Sequence, residues 1–142
     1  MRKYAVIALI VLVFIGIGSC GTEQSPSSTS SAQKLRVSNV GNEDIQSLIV
    51  VFPGDTPMIP VRVDFGAVRS GETTEYQIMP SGVYRYAAYE YSLENRTIYQ
   101  AVMDWLGEKP LSGTQFTYEI SLDTTRVQGD QIQLITVLTD NT

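Results

Sequence analysis

The residue types that usually carry out catalysis and metal binding are sparse in this sequence of 142 residues. It has no histidine, which excludes a Ser-His-Asp arrangement, a histidine metal site and a histidine proton relay. Its single cysteine, Cys20, has no second thiol in the chain with which to form a disulfide. Residues 20–142 also contain no glycine-rich phosphate loop. Thiol, imidazole and phosphate-loop chemistry are therefore poor hypotheses for this chain.

Pairs of carboxylates are the remaining route to catalysis. Two such pairs are close in sequence: Asp104 with Glu108, and Glu90 with Glu94. A sugar-cleaving site needs two carboxylates about 5–10 Å apart in a cleft, and acids of this kind are more often solvated residues of strands and turns. The stretch 123–130 is predicted to be a loop with two acids, but it lacks the dense alternating oxygen ligands of a calcium loop. We therefore predict no enzyme activity, no catalytic residue, no cofactor and no metal site.

Aromatic residues are concentrated between positions 84 and 105. Strand alternation puts Tyr84 and Tyr86 on one face of a strand. It puts Tyr89 and Tyr91 on the other face. We favour packing in the core for these rings, because large aromatic side chains usually serve cores. The alternative is an exposed platform for a glycan or a peptide, formed by Tyr84, Tyr89, Tyr91, Tyr99 and Trp105.

The N-terminus has the pattern of an export signal. Arg2 and Lys3 precede an uninterrupted apolar run at 4–17, and small residues follow it up to Cys20. The segment Ile17-Gly18-Ser19-Cys20 resembles the lipobox of bacterial lipoprotein precursors. That resemblance implies cleavage before Cys20, a diacyl lipid joined to its sulfur by a thioether, and attachment of the protein to a membrane.

Two other interpretations of this segment fit less well. A transmembrane anchor needs about 20 apolar residues, whereas the run at 4–17 has 14. Ordinary secretory cleavage would leave Cys20 as a free thiol, which is unusual in an exported protein. We therefore predict a signal peptide at 1–19 and a lipid anchor on Cys20. The protein is then expected on the extracytoplasmic face of the cell membrane or outer membrane.

Residues 20–33 are predicted to form the lipidated cysteine and a flexible tether, because Ser, Thr, Gly and Pro dominate this stretch. Removal of Arg2 and Lys3 with the signal leaves 8 basic and 15 acidic side chains, a balance of −7. An acidic chain without a basic stretch is a poor partner for nucleic acid. The predicted partners are the membrane, through Cys20, and an envelope protein or glycan.

From residue 34 onward, apolar and polar residues alternate as in half-buried strands, and turn-forming residues separate the alternating segments. The stretch 48–52 is apolar on both faces and predicts a central strand. The predicted fold is all-β, a single antiparallel β-sandwich of about seven to eight strands in a domain at 34–142. The strands are predicted at 34–40, 44–52, 61–67, 73–79, 83–92, 96–104, 114–122 and 131–139.

The first two predicted strands resemble the opening hairpin of immunoglobulin-like and transthyretin-like sandwiches. Residues 35–39 lead into the turn Gly41-Asn42-Glu43, and residues 45–51 follow. The segment 65–68 followed by Ser70-Gly71-Glu72 adds to this likeness, which brings no known activity with it. We therefore predict a membrane-anchored, non-enzymatic module with a structural or protein-interaction role. The alternative is a glycan- or peptide-binding lipoprotein that uses the Tyr-rich strands.

Overall fold

The computed structural model describes residues 32–54, 59–94, 96–102, 105, 107–128 and 131–142. All regular elements in these ranges are strands, so the all-β prediction is confirmed. The predicted signal peptide and Cys20 lie outside the described residues. The strands are β1 Lys34–Asn39, β2 Ile45–Phe52, β3 Val61–Val68, β4 Gln77–Ile78, β5 Ala88–Leu93, β6 Arg96–Gln100, β7 Gln115–Gln128 and β8 Gln131–Asp140.

The strands form two four-stranded sheets. Sheet A has the order β4-β1-β7-β8, and sheet B has the order β3-β2-β5-β6. Pairing between the described strands is antiparallel except for β1 and β7, which run parallel with Leu35 beside Phe116. The prediction of a purely antiparallel arrangement is wrong at this pair. Parallel neighbours need a long connection, and here the chain passes through all of sheet B between β1 and β7.

Strands β1 and β2 do not pair as the predicted hairpin, because they belong to different sheets. The side chain of Asn39 is buried and stabilises the segment that connects the two strands. Its amide nitrogen donates to the carbonyl oxygens of Glu43 at 2.8 Å and Val68 at 3.1 Å. Its amide oxygen accepts from the backbone nitrogen of Gly41 at 3.0 Å. The segment is therefore an arch that turns the apolar faces of the two strands toward each other.

The two sheets share one hydrophobic core. Leu35 and Tyr118 enter it from sheet A, and Phe52 and Tyr91 enter it from sheet B. The rings of Phe52 and Tyr118 meet with centroids 6.1 Å apart and planes at 61°, an edge-to-face contact. Strand β2 lies between β3 and β5, which confirms the predicted central strand. Each fully buried large apolar side chain contributes ~1.5–3 kcal/mol to the stability of this arrangement.

The predicted bounds agree within one residue for β1, β2, β3 and β8. They are wrong by more than that at the other four strands; β6, for example, ends at Gln100 and not at 104. The sequence pattern extends the fifth strand from 83, but β5 begins only at Ala88. Gly82 turns the chain with a φ of +87°, and the Val83 carbonyl accepts from the backbone of Leu111 at 2.7 Å instead of joining a ladder. Strand β4 is also shorter, and β7 longer, than predicted.

Gln33, which the sequence places at the end of the tether, is hydrogen-bonded to the sandwich. The side-chain nitrogen of Gln33 donates to the carbonyl oxygens of Leu111 and Gly113. Its side-chain oxygen accepts from the backbone of Val83 at 2.6 Å, and its main-chain oxygen accepts from Met79 at 2.9 Å. Gln33 therefore belongs to the sandwich, although the sequence places it in the tether.

Candidate functional site

The five rings predicted as one ligand platform do not share an open face. Tyr84, Tyr89 and Tyr91 are buried in the core. Tyr99 on β6 is 54% exposed, and Trp105 is half-buried. The inward face of β5 carries Tyr89 and Tyr91, which is why the sandwich closes over them. The structure thus brings three of the rings together inside the protein and leaves two outside.

The hydroxyl groups of the buried rings find partners within the protein. Tyr118 donates to the carbonyl oxygen of Tyr84 at 2.6 Å, and Tyr91 donates to that of Ile132. Tyr89 and Tyr118 pack edge to face, with ring centroids 6.4 Å apart. Burial raises the pKa of both Tyr89 and Tyr118 above the ordinary value of 10.0. These phenols therefore stay neutral at physiological pH and serve packing.

Tyr86 does not lie beside Tyr84 as strand alternation predicts. Both residues precede β5, where the backbone is irregular, and Tyr86 is 53% exposed whereas Tyr84 is buried. The indole nitrogen of Trp105 donates to the carbonyl oxygen of Tyr86 at 3.1 Å. This bond brings the Trp105 side chain to the backbone of an exposed tyrosine, a proximity that their spacing in sequence does not reveal.

The outer face of sheet B carries an ion pair next to the exposed ring of Tyr99. Glu90 lies opposite Tyr99 in the register of β5 and β6. Its carboxylate accepts from Arg62 Nη2 at 2.6 Å. The hydrogen bond to Glu90 is the main reason that the pKa of Arg62 is raised. Both side chains are partly exposed, so water and salt screen the pair and its contribution to stability is small.

A cavity of about 400 Å³ opens at the end of the sandwich where the β5–β6 hairpin approaches the arch and β8. Its volume lies within the range of small-molecule pockets. Glu94 stands at the hairpin turn with a φ of +46°. The lining combines an apolar floor with charged residues from distant parts of the chain: Glu43, Asp44, Leu93, Glu94, Arg96, Leu122, Thr124 and Ile132. The sequence does not predict this cavity, because no single segment supplies its lining.

The carboxylates weighed above as acid/base pairs are not assembled into a site by the described part of the chain. Glu90 is engaged by Arg62, and Asp104 lies outside the described residues. Glu94 lines the end cavity. Within residues that the structure describes, no three side chains of the His, Cys, Asp or Glu type gather closely enough to hold a metal ion.

Gln100 is an important residue that the sequence pattern missed. Its side-chain nitrogen donates to the carbonyl oxygen of Leu134 at 2.9 Å, and its oxygen accepts from the backbone nitrogen of Leu134 at 2.7 Å. The amide therefore imitates one residue of a neighbouring strand. Through it, the end of β6 in sheet B covers part of the edge strand β8 in sheet A. A glutamine inside the predicted strand 96–104 gives no signal of this role.

No protein family, curated protein sequence or solved structure matches this chain. In the part of the chain that the structure describes, no helix has the length and apolar character needed to cross a membrane. The surfaces described above that a ligand or partner can reach are the exposed outer faces, the end cavity and the edges of the sheets.

Proposed function

We propose that this protein is a lipid-anchored, non-enzymatic protein of the bacterial cell envelope whose β-sandwich is a structural or protein-interaction module. The observation that carries the proposal is Cys20, the single thiol of the sequence, at the end of a basic, apolar and small-residue pattern. Lipid burial contributes ~0.8 kcal/mol per methylene, and stable anchoring takes more than one chain. A diacyl group on Cys20 meets that requirement.

The position of Gln33 sets how the anchor and the domain are related in this proposal. The residues between Cys20 and Gln33 are rich in Ser, Thr, Gly and Pro. A flexible segment of that length spans on the order of 20 Å. The domain is then held close to the membrane on its extracytoplasmic face. Its acidic balance disfavours direct adsorption to anionic lipids, which leaves the faces of the sandwich free for a partner protein.

The alternative of glycan or peptide binding through the Tyr-rich strands now has fewer residues to support it. Burial of Tyr84, Tyr89 and Tyr91 leaves Tyr99 and Trp105 of the predicted platform accessible. Two rings offer less stacking area than a five-ring platform, so we place this function second. If it holds, Tyr99→Ala and Trp105→Ala will each weaken the capture of envelope glycans by the lipidated protein.

The anchor is tested by the variant Cys20→Ser in the native envelope. We expect it to lose incorporation of an alkyne-labelled fatty acid and to accumulate as the uncleaved precursor. Ser19→Ala is the matched control, because it keeps a small residue before an intact Cys20 and should be labelled like the natural chain. Normal maturation of the Cys20→Ser protein would overturn the anchor.

The interaction role is tested separately by crosslinking in intact cells, followed by purification of the lipidated protein. We expect one envelope protein to be crosslinked reproducibly and to be absent when an unrelated lipoprotein is purified in the same way. A crosslinked profile identical to that of the unrelated lipoprotein would count against a dedicated partner.

A further inference from the structure

The two sheets leave four edge strands, and they differ in how they are protected. Open edges in natural proteins are usually short, charged or distorted by a bulge, because they otherwise pair with other chains. Strand β4 has only two residues. Strand β3 carries Arg62 and Asp64, and its register with β2 shifts near Gly66, which has a φ of +68°. Strand β6 is short and begins with Arg96.

Strand β8 has none of these protections along most of its length. It spans ten residues, and no charged residue or proline occurs in it before Asp140. No other described strand pairs with its outer edge. Among the residues that the structure describes, Gln100 binds the backbone of Leu134 on that side, and the hydroxyl of Tyr91 binds the carbonyl oxygen of Ile132. The rest of the edge is without a strand partner among the described residues.

The register of β7 and β8 shows which backbone groups face outward. It runs without a shift from Phe116 opposite Asp140 to Asp123 opposite Gln133. The backbone groups of Leu134 that bind Gln100 point away from β7, and every second residue of a strand points its backbone groups the same way. The N–H and C=O groups of Thr136 and Leu138 therefore face the open side.

Apolar side chains accompany these free backbone groups. Ile135 is 42% exposed and Val137 is 57% exposed, on the outer face of the sheet. We propose that the segment 135–139, here named the open edge, docks an extended basic segment of a partner protein, which joins sheet A as a fifth strand. Backbone hydrogen bonds supply affinity in this mode of recognition, and side chains on alternate positions supply specificity.

Charge decides between a partner and a second copy of this chain. Glu119 lies opposite Val137 on the same face, and Asp140 follows the open edge. In the unshifted register, from Phe116 opposite Asp140 to Asp123 opposite Gln133, the charged residues of β7 and β8 are all acidic, namely Glu119, Asp123 and Asp140; Arg126 of β7 lies outside this register. Arg36, on the same face of β1, is held by Thr117 at 3.0 Å and stacks on Tyr76. A second copy would set acid against acid, whereas a strand of alternating apolar and basic residues is complementary.

The inference deepens the proposed function by naming the surface and the chemistry of the partner. Its test uses the full lipidated chain in detergent and a fluorescent synthetic peptide of alternating lysine and valine. We expect this peptide to bind and a peptide of alternating glutamate and valine not to bind. Val137→Lys should weaken binding by about tenfold. Ile78→Lys is the matched control, because Ile78 is 60% exposed on the opposite edge strand of the same sheet and the charge change is identical.

Backbone hydrogen exchange provides a readout that does not depend on a variant. The amides of Thr136 and Leu138 should become protected when the lysine–valine peptide is added. Equal binding of the acidic peptide, unchanged binding by Val137→Lys, or unprotected amides would overturn the inference. A dimer of the peptide-free chain that Val137→Lys dissociates would also overturn it and assign the edge to a second copy. If Val137→Lys captures an envelope partner as well as the natural chain does, the open edge is not the docking surface. The proposed role as an interaction module would still hold in that case.

Discussion

At the scale of single residues, the phenols in the core join the two sheets. The ring of Tyr118 contacts Phe52 and Tyr89, and its hydroxyl donates to the carbonyl oxygen of Tyr84. One side chain from sheet A therefore satisfies a backbone group of the irregular segment that precedes β5. Because burial raises its pKa and that of Tyr89, the stability of the fold is coupled to pH in the alkaline range.

The sign of this pH dependence follows from the pKa of tyrosine in the unfolded and folded states. In the unfolded chain a tyrosine loses its proton near pH 10, whereas the folded protein keeps Tyr89 and Tyr118 protonated to higher pH. The stability is therefore fully present below pH 10. It falls as the pH rises above that value, by about 1.4 kcal/mol per pH unit for each of the two residues. Urea unfolding between pH 8 and pH 11 measures this loss.

The variant Tyr118→Phe separates the hydrogen bond from the ionisation. At pH 8 it should lower the free energy of unfolding by about 1–2 kcal/mol, because the Tyr84 carbonyl loses its donor. Toward pH 11 the difference from the natural chain should narrow, because one ionisable phenol has been removed. Tyr99→Phe is the control, since its exposed ring should leave stability at pH 8 unchanged. If the free energies of unfolding of Tyr118→Phe and of the natural chain differ by the same amount from pH 8 to pH 11, the Tyr118 phenol does not cause the loss of stability at high pH.

At the scale of elements, turns and side-chain amides decide where strands begin and which edges stay open. Gly82 lets the chain turn before the irregular segment, and Gln100 closes part of the edge of β8. Gly82 forms a local turn with Met79, whereas Gln100 connects elements that are far apart in sequence. Both residues also account for the two places where the sheets depart most from a simple alternation of strands and turns.

Gly82→Ala should destabilise the protein more than Gly71→Ala. Both glycines have a positive φ, of 87° and 76°, so both variants carry the strain of a left-handed residue, about 1–2 kcal/mol. A Cβ at Gly82 would also lie 2.7 Å from Pro110 Cβ, whereas a Cβ at Gly71 meets nothing within 4 Å. We expect a total loss on the order of 3 kcal/mol for Gly82→Ala in urea unfolding. Equal losses of stability in the two variants would show that the close approach of the new Cβ to Pro110 costs nothing.

Gln100→Leu should lower the free energy of unfolding by about 1–3 kcal/mol, because it leaves both backbone groups of Leu134 without the partner they have in the fold. Gln77→Leu, an exposed glutamine on the edge strand β4, is the control and should change stability by less than about 0.5 kcal/mol. Differential scanning calorimetry compares the two. A Gln100→Leu protein as stable as the control would mean that water replaces the amide without loss.

Alternation predicts much of the fold because burial of one sheet face imposes a period of two. It places β1, β2, β3 and β8 to within one residue, along with the turn at Glu94. It fails at the arch, because the pattern within β1 and β2 is the same whether they pair or face each other across the core. It also fails for Tyr84 and Tyr86, which lie where the backbone leaves the sheet. The end cavity and Gln100 depend on contacts between distant segments, which spacing along the chain does not contain.

At the scale of the whole molecule, we propose that a lipid on Cys20 attaches the acidic sandwich to a membrane through a short segment that ends at Gln33. The side chain of Gln33 is hydrogen-bonded to two segments of the domain, at Val83 and at Leu111 and Gly113, and so ties this segment to the sandwich. The open edge of β8 and the end cavity are then presented within a short distance of the membrane surface. A partner in the same membrane would meet them at high effective concentration.

Limited proteolysis should report this boundary. If residues 21–32 form a flexible tether, a nonspecific protease will cut there first and release a stable fragment that begins close to Gln33. Gln33→Ala should move the first protected residue further into the chain, because it removes the bonds to Val83, Leu111 and Gly113. N-terminal sequencing of the fragments provides the measurement. Initial cuts within the sandwich would contradict the predicted tether.

The central claim is that Cys20 carries the lipid that locates this protein, and mass spectrometry of the protein from its own membranes tests it most directly. The account predicts a mature chain that begins at Cys20 and whose N-terminal peptide carries the mass of a diacylglyceryl thioether. Cys20→Ser should remove that species entirely. A mature chain that retains residues 1–19, or one that begins elsewhere and holds an unmodified Cys20, would contradict the account.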